Sequence, residues 1–233
     1  VKLALGLLLV LGLAGQAALA AFPLPPPLQT AHLFGKGAVA GAPPVPLSDE
    51  LYALGWSARG AFAVLERLTG TEGQKTVRFQ VWDLVEDALL YEATWPDWGD
   101  DDAQAAWWSA KDDEVNAVFT RFSLVPTDWQ MGEFPLINDD EYFTAALRAG
   151  RSSDTAWITR LEIVVNSTGR GLKTVGDLDG YWRWATLLGF VPSPFESRVA
   201  LVLLVQPAGW NGVGQPLRFL ISGLSLKAGF TKP

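Results

Sequence analysis

The chain has 233 residues, a formal net charge of −7, no cysteine and a single histidine, His32. This composition excludes a disulfide framework and ordinary His- or Cys-based zinc, iron and copper sites, and it leaves a Ser-His nucleophile pair no base except His32, in a Pro-rich stretch. It also disfavours nucleic acid as a partner, because phosphate neutralisation needs a basic face, while an apolar content of 49% is enough for a real core.

Residues 1–20, VKLALGLLLVLGLAGQAALA, carry one lysine, an apolar run from Leu3 to Ala14, and the small-x-small step Ala18-Leu19-Ala20. This pattern predicts a secretory signal peptide cut before Ala21. The run is short of the roughly 20 residues a membrane span needs, so a retained anchor is the alternative. The expectation is a periplasmic or secreted protein with no membrane span after cleavage. Residues 21–47 hold seven prolines and read as an extended tether, or as an edge segment lying along the domain.

From residue 48 the pattern turns to strands. LYALGW, AFAVLERL, TVRFQVWDL and LLYEATW are short apolar runs separated by Ser57-Ala58-Arg59-Gly60, a Gly-bearing hairpin at 70–75, and Val85-Glu86-Asp87-Ala88. They predict a four-strand meander, with Ser57 as a turn residue. Trp95-Pro96 ends it. Asp100, Asp101 and Asp102 then offer helix N-caps, and Val115, Val118, Phe119 and Phe122 fall on one helical face. Residues 123–138 read as extended structure and loop, and DDEYFTAALRAG as a short helix stopped by Gly150.

The last third returns to strands: TAWITRLEIVVN, a brief KTV return after the STGRG turn, then YWRWATLLGFV, RVALVLLVQ and PLRFLISGLSL. The fold class expected is therefore mainly β with an inserted α-helix (α+β), its antiparallel sheets blade-like or sandwich-like. The organisation expected is a single domain over 48–233, made of modules 48–98 and 155–228 around a helical insert at 100–150.

The two modules share spelling. Leu54-Gly55-Trp56 matches Leu188-Gly189-Phe190, and Arg78-Phe79 matches Arg218-Phe219 with Gly-Gln just upstream in both copies. The second copy has slightly longer loops. This is the signature of a duplicated strand-loop-strand unit, although hairpin chemistry alone also selects glycine at such joints.

The stretch Leu54-Gly55-Trp56-Ser57-Ala58-Arg59-Gly60-Ala61-Phe62-Ala63 resembles the W-S-x-D-G step of TolB- and WD40-like β-propeller blades, with Arg59 where an aspartate is usual. Val81-Trp82-Asp83-Leu84 resembles the blade strand ending in a W-D dipeptide. The chain is also similar to uncharacterised exported proteins of spirochaetes. The resemblance implies a blade-like sheet and transfers no active site. A full propeller needs at least four blades, so a closed propeller is not expected.

Carboxylates and tryptophans are the remaining chemical resource. Sixteen acidic and two basic residues lie between Asp83 and Tyr142. Most of these acids read as a solvated face, but Asp97, Asp100, Asp101 and Asp102 in one loop form a candidate calcium site, because hard cations want several oxygens from a flexible segment. Asp177 and Asp179 are a second such candidate. Asp139, Asp140 and Glu141 beside aromatics are the set a glycan hydrolase would use. Among eleven tryptophans, Trp182 and Trp184 are expected to share a strand face, as a core layer or, with Trp98, as a ligand-stacking platform.

Taken together, these residues point to an exported, non-catalytic binding or scaffolding module of the bacterial envelope, with another envelope protein or a glycan as partner and calcium as the one cofactor to test. The competing class is a carboxylate-dependent glycan hydrolase.

Overall fold

The computed structural model describes residues 22–28, 49–69, 74–154, 157–208 and 217–232. The leader at 1–20, most of the tether, His32, Gly73 and the Gly214-Gln215 step of the repeat lie outside the described residues. Among the described residues no helix is long and apolar enough to cross a membrane.

The first sheet is the expected meander: β1 (Glu50–Trp56), β2 (Ala61–Thr69), β3 (Lys75–Asp83) and β4 (Ala88–Pro96), all antiparallel. A two-residue strand, β5 (Val125–Pro126), adds to the free side of β1, giving the order β4-β3-β2-β1-β5. The β1–β2 turn is held by Ser57, whose hydroxyl oxygen accepts from the Arg59 and Ala61 N–H groups at 3.2 and 3.0 Å. Competition of this kind between side chain and ladder makes serine a turn residue.

Two helices follow, α1 (Gln104–Ser109) and α2 (Asp112–Phe122). Val115, Val118 and Phe119 are buried, as the helical spacing requires. Asp100 accepts from the Ala103 N–H in the turn before α1, and Asp112, Asp113 and Glu114 sit in the first turn of α2, where the helix dipole favours negative charge. Among the described residues helix is thus confined to 104–122, a narrower span than the insert expected over 100–150.

The second sheet comprises β6 (Leu136–Asn138), β7 (Glu141–Arg151), β8 (Ile158–Ser167), β9 (Gly171–Pro192), β10 (Arg198–Pro207) and β11 (Arg218–Ser225), ordered β11-β10-β9-β8-β7-β6. The helix expected over 139–150 is instead β7, paired along its length with β8. Three alanines and a leucine gave that segment helical propensity. Its period is nevertheless two: Phe143, Ala145, Leu147 and Ala149 turn inward, and pairing with β8 overrides propensity. The two short strands expected between Lys173 and Val191 are one 22-residue strand, β9, which runs through Gly176 and Gly180 without a turn.

β9 is long enough to serve two halves of its sheet. Its N-terminal part pairs with β8 and its C-terminal part with β10. The sheet curls accordingly, so that Phe143, Ile163 and Val165 pack on the face of β10 that carries Val199, Leu201 and Leu203. The other face of β10, with Ala200, Val202 and Leu204, meets Leu51, Ala53, Trp56, Phe62 and Val64 of the first sheet. On its far side the first sheet presents Leu54, Leu65, Val77, Phe79 and Val81 to α1, α2 and Phe22. The molecule is a pile: helices, first sheet, second sheet, and the curled edge of the second sheet. Each large side chain fully buried between layers contributes about 1.5–3 kcal/mol, and Trp56, Phe62, Phe79 and Phe143 are all of this kind. The fold is mainly β with few helices, two antiparallel sheets and no closed propeller, as the sequence predicts.

The repeat survives in the register. Ala63 faces Gly55 on one side and Val81 on the other, while Val202 faces Gly189 and Ile221. The ladder slips at Leu54 in the first copy and at Leu188 in the second, leaving each leucine as the bulged residue before its glycine. Equivalent residues do not face each other across the interface. Phe79 and Val81 turn toward the helices, whereas Phe219 and Ile221 turn toward the first sheet. The two copies therefore stack back to front, in the same sense.

Candidate functional site

All three candidate tryptophans are interior. Trp98 is packed between Tyr52 and Trp107, with ring centroids at 6.1 and 5.2 Å, and the Arg67 guanidinium lies 4.3 Å over its ring. Trp184 belongs to the layer between the sheets and Trp182 to a separate cluster with Ile158, Leu161 and Val205. The expectation that Trp182 and Trp184 share a face is corrected here. Gln206 pairs with Trp184 but Pro207 pairs with Trp182, so Arg183 is bulged and the alternation resets between the two indoles. Neither they nor Trp98 offers an exposed stacking surface; they serve as core.

The acidic loop is spent in a comparable way. Arg67, at 5% side-chain exposure, donates from Nε to Asp97 Oδ1 at 2.7 Å and from a terminal nitrogen to Asp97 Oδ2 at 3.1 Å and the Gly99 carbonyl at 2.7 Å. Burial raises the Asp97 carboxyl, but the hydrogen bonds from Arg67 and the Gly99 N–H outweigh it and hold Asp97 below its ordinary value. Two oxygens that a cation would need are thus taken by a guanidinium. Asp100, Asp101 and Asp102 are exposed at the following turn. Asp177 is likewise paired with Arg160, at 2.6 Å. Among the described residues no group of three or more His, Cys, Asp or Glu is arranged to hold a metal ion.

The third candidate set, Asp139, Asp140 and Glu141, does lie at a concavity. An open hollow of about 670 Å³ is bounded by the β6–β7 turn, by Thr168, Gly169 and Arg170 of the β8–β9 turn, and by Lys227, Gly229, Phe230 and Lys232. Asp139 and Asp140 form the turn in left-handed backbone conformations, at φ 51° and 62°, which aspartate tolerates better than most residues.

Glu141 is committed to the architecture of this hollow. Its Oε1 accepts from the Ser167 hydroxyl and from the Gly169 N–H at 3.2 Å, and its Oε2 accepts from Arg170 Nε at 2.7 Å. The Ser167 hydrogen bond, reinforced by Arg170, holds its carboxyl below the usual range, so it stays ionised. A general acid for glycoside cleavage needs the opposite shift.

On the other wall, Lys173 Nζ donates to the Ser225 and Ala228 carbonyls at 3.4 and 2.9 Å, and Leu172 exchanges backbone hydrogen bonds with Thr231. These bonds fasten the segment after β11 onto β9. They fix the stations of Lys227, Phe230 and Lys232, residues that no sequence pattern singled out. Arg67 and Arg170 were equally invisible, since their roles depend on strands far apart in the chain.

The class these features define is a mainly-β pile of two like sheets with an open, mixed-charge hollow at one end. No protein-family model, curated protein or solved structure matches the chain.

Proposed function

We propose that the chain is an exported, non-catalytic binding or scaffolding module of the cell envelope, with the piled sheets as frame and the hollow over the β8–β9 turn as the place where a polar partner is held. One observation carries this reading. The carboxylates that chemistry would call on are occupied by arginines of the same chain, Glu141 by Arg170 and Asp97 by Arg67. What remains to line the hollow is Asp139 and Asp140, Lys227 and Lys232, and the ring of Phe230, which packs on Phe143. Opposite charges and an aromatic in one lining suit a glycan or an extended peptide of another envelope protein, both of which offer polar groups and apolar surface in alternation.

Export rests on the leader: Lys2, the apolar run and Ala18-Leu19-Ala20. A cysteine-free core suits any redox compartment. The likeness to TolB-like blades enters as part of the same proposal. Propeller blades repeat radially as neighbouring sheets, and back-to-front stacking of the two copies is what supports the likeness. Here helices cover the outer face of one sheet, and the curled edge of the other covers its far face.

The test uses the purified chain with N-acetylglucosamine oligomers and with alternating Lys/Glu peptides as probes. Backbone amide shifts at 168–170 and 227–232, weakened at least tenfold in Lys227→Ala/Lys232→Ala at unchanged melting temperature, would support the reading. Absence of any such shift would contradict it. Oligomer cleavage that disappears in Glu141→Gln would replace it with a glycan hydrolase.

A further inference from the structure

Between the sheets lies a charged group that the hollow does not use. Glu66 on β2 has a fully buried side chain, on the face that looks toward the second sheet. Its cross-strand neighbour Arg78 gives it two hydrogen bonds, both to Oε2, one from Nε at 2.7 Å. Oε1 has no partner among the described residues. Arg78 is itself 16% exposed and reaches outward to Glu92 on β4, whose carboxylate stands 3.8 Å from another guanidinium nitrogen and is 40% exposed. Glu92 in turn accepts from Gln80 Nε2 at 2.6 Å, and the Gln80 carbonyl accepts from the Trp82 indole at 3.2 Å. A continuous polar line thus runs from solvent at Glu92, through one shared guanidinium, to a carboxylate buried in the layer between the sheets.

We infer that Glu66, Arg78 and Glu92 form a proton-responsive relay at the interface of the two sheets, in which Arg78 passes from the buried carboxylate to the exposed one when Glu66 takes up a proton. A neutral Glu66 no longer holds the guanidinium inward, and a half-buried cation without a counter-charge moves to the nearest one. That one is Glu92. The charged groups facing Glu66 are Arg78 from β3, Glu92 from β4 and Arg218 from β11, while its neighbour on β1, Leu51, is apolar. Burial pushes the Glu66 carboxyl up to about 7 against the pull of the two arginines, with Glu92 adding a smaller push in the same direction. The sign follows. The folded form holds this proton over a range where the unfolded chain, at the ordinary value of 4.5, has released it. The group's contribution to stability is therefore complete below that ordinary value and is lost as pH rises through about 7. This device is independent of the binding reading above.

The test is carboxyl NMR of the full chain with ¹³C-labelled glutamate, recorded from pH 4 to 9 together with the Trp82 indole N–H resonance. The expected result is a Glu66 midpoint near 7 and a Trp82 shift with that same midpoint, because the indole reads Glu92 through Gln80. Glu92→Gln should lower the Glu66 midpoint and silence the Trp82 shift. A Glu66 carboxyl that titrates in the ordinary range or stays ionised throughout would overturn the relay. So would a Trp82 resonance that stays still while Glu66 titrates. The wild-type titration decides this even where a variant fails to fold.

Discussion

Gly55 and Gly189 hold the same station in the two sheets. Each follows a bulged leucine, and each has a passing backbone carbonyl where a Cβ would sit: Val125 O at 2.6 Å from that point for Gly55, and Gly132 O for Gly189. The two carbonyls belong to one connecting stretch after α2, which pairs first with Gly55 and Trp56 through Pro126 and Val125 and then with Phe190 through Gly132. One strap thus crosses the equivalent notch of both copies.

Filling either notch forces that strap away. Gly55→Ala and Gly189→Ala should each cost about 1–3 kcal/mol, the usual range for overpacking. Urea unfolding followed by tryptophan fluorescence measures this, and a cost below about 0.5 kcal/mol, typical of an unconstrained surface site, would contradict the strap.

Arg67 joins β2 to the Asp97–Gly99 loop and roofs Trp98. Arg67→Ala removes charge-assisted hydrogen bonds worth about 1.5–3 kcal/mol in total and should change the emission of Trp98. The pH dependence has a definite sign. The carboxyl of Asp97 is held below its ordinary value in the folded chain, so its contribution is present above that value and disappears as pH falls through the lowered one. Unfolding curves at pH 7 and pH 3 should show the variant losing less stability on acidification than the parent.

Asp87, in the β3–β4 turn, accepts from the Gly223 N–H at 2.5 Å and from the Ser222 hydroxyl at 3.2 Å, locking the first sheet onto the edge of β11. Asp87→Ala strands a buried amide and should cost about 1–3 kcal/mol. Asp87→Asn keeps an acceptor, and asparagine also tolerates the left-handed backbone of this position, at φ 52°. It should recover more than half of the loss in the same unfolding assay.

Calcium provides a fourth check. With Asp97 and the Gly99 carbonyl engaged by Arg67, millimolar calcium should leave the melting temperature unchanged. A cation that bound only the folded chain would raise it, and a rise of several degrees that vanishes in Asp100→Asn would contradict this assignment.

How far these features could be read in advance depends on where their causes lie in the chain. β1 to β4 were legible because alternation and turn residues are local; Val77, Phe79 and Val81 announce their face within one strand. β7 was not, because its alanines favour helix and only pairing with β8 decides otherwise. The split of Trp182 from Trp184 was hidden for a similar reason. The bulge at Arg183 is set across the ladder, beside Pro207, which has no N–H to continue regular pairing. At the hollow, Asp139, Asp140 and Glu141 were visible as a cluster, but their division of labour was not. Whether a carboxylate is free or tied depends on Ser167 and Arg170, which a separate hairpin delivers. The duplicated spelling was legible throughout, whereas its back-to-front stacking required the third dimension.

The most direct test of the piled arrangement is the contact between Asp87, in the β3–β4 turn, and Gly223 of β11, one from each sheet. NMR of the folded, isotope-labelled chain should show a nuclear Overhauser effect between the Gly223 amide proton and the Asp87 side chain, and Asp87→Ala should move the Gly223 amide resonance. A Gly223 amide with no cross-peak to Asp87, unmoved in that variant, would mean that the first and second sheets do not meet, and the account would fail.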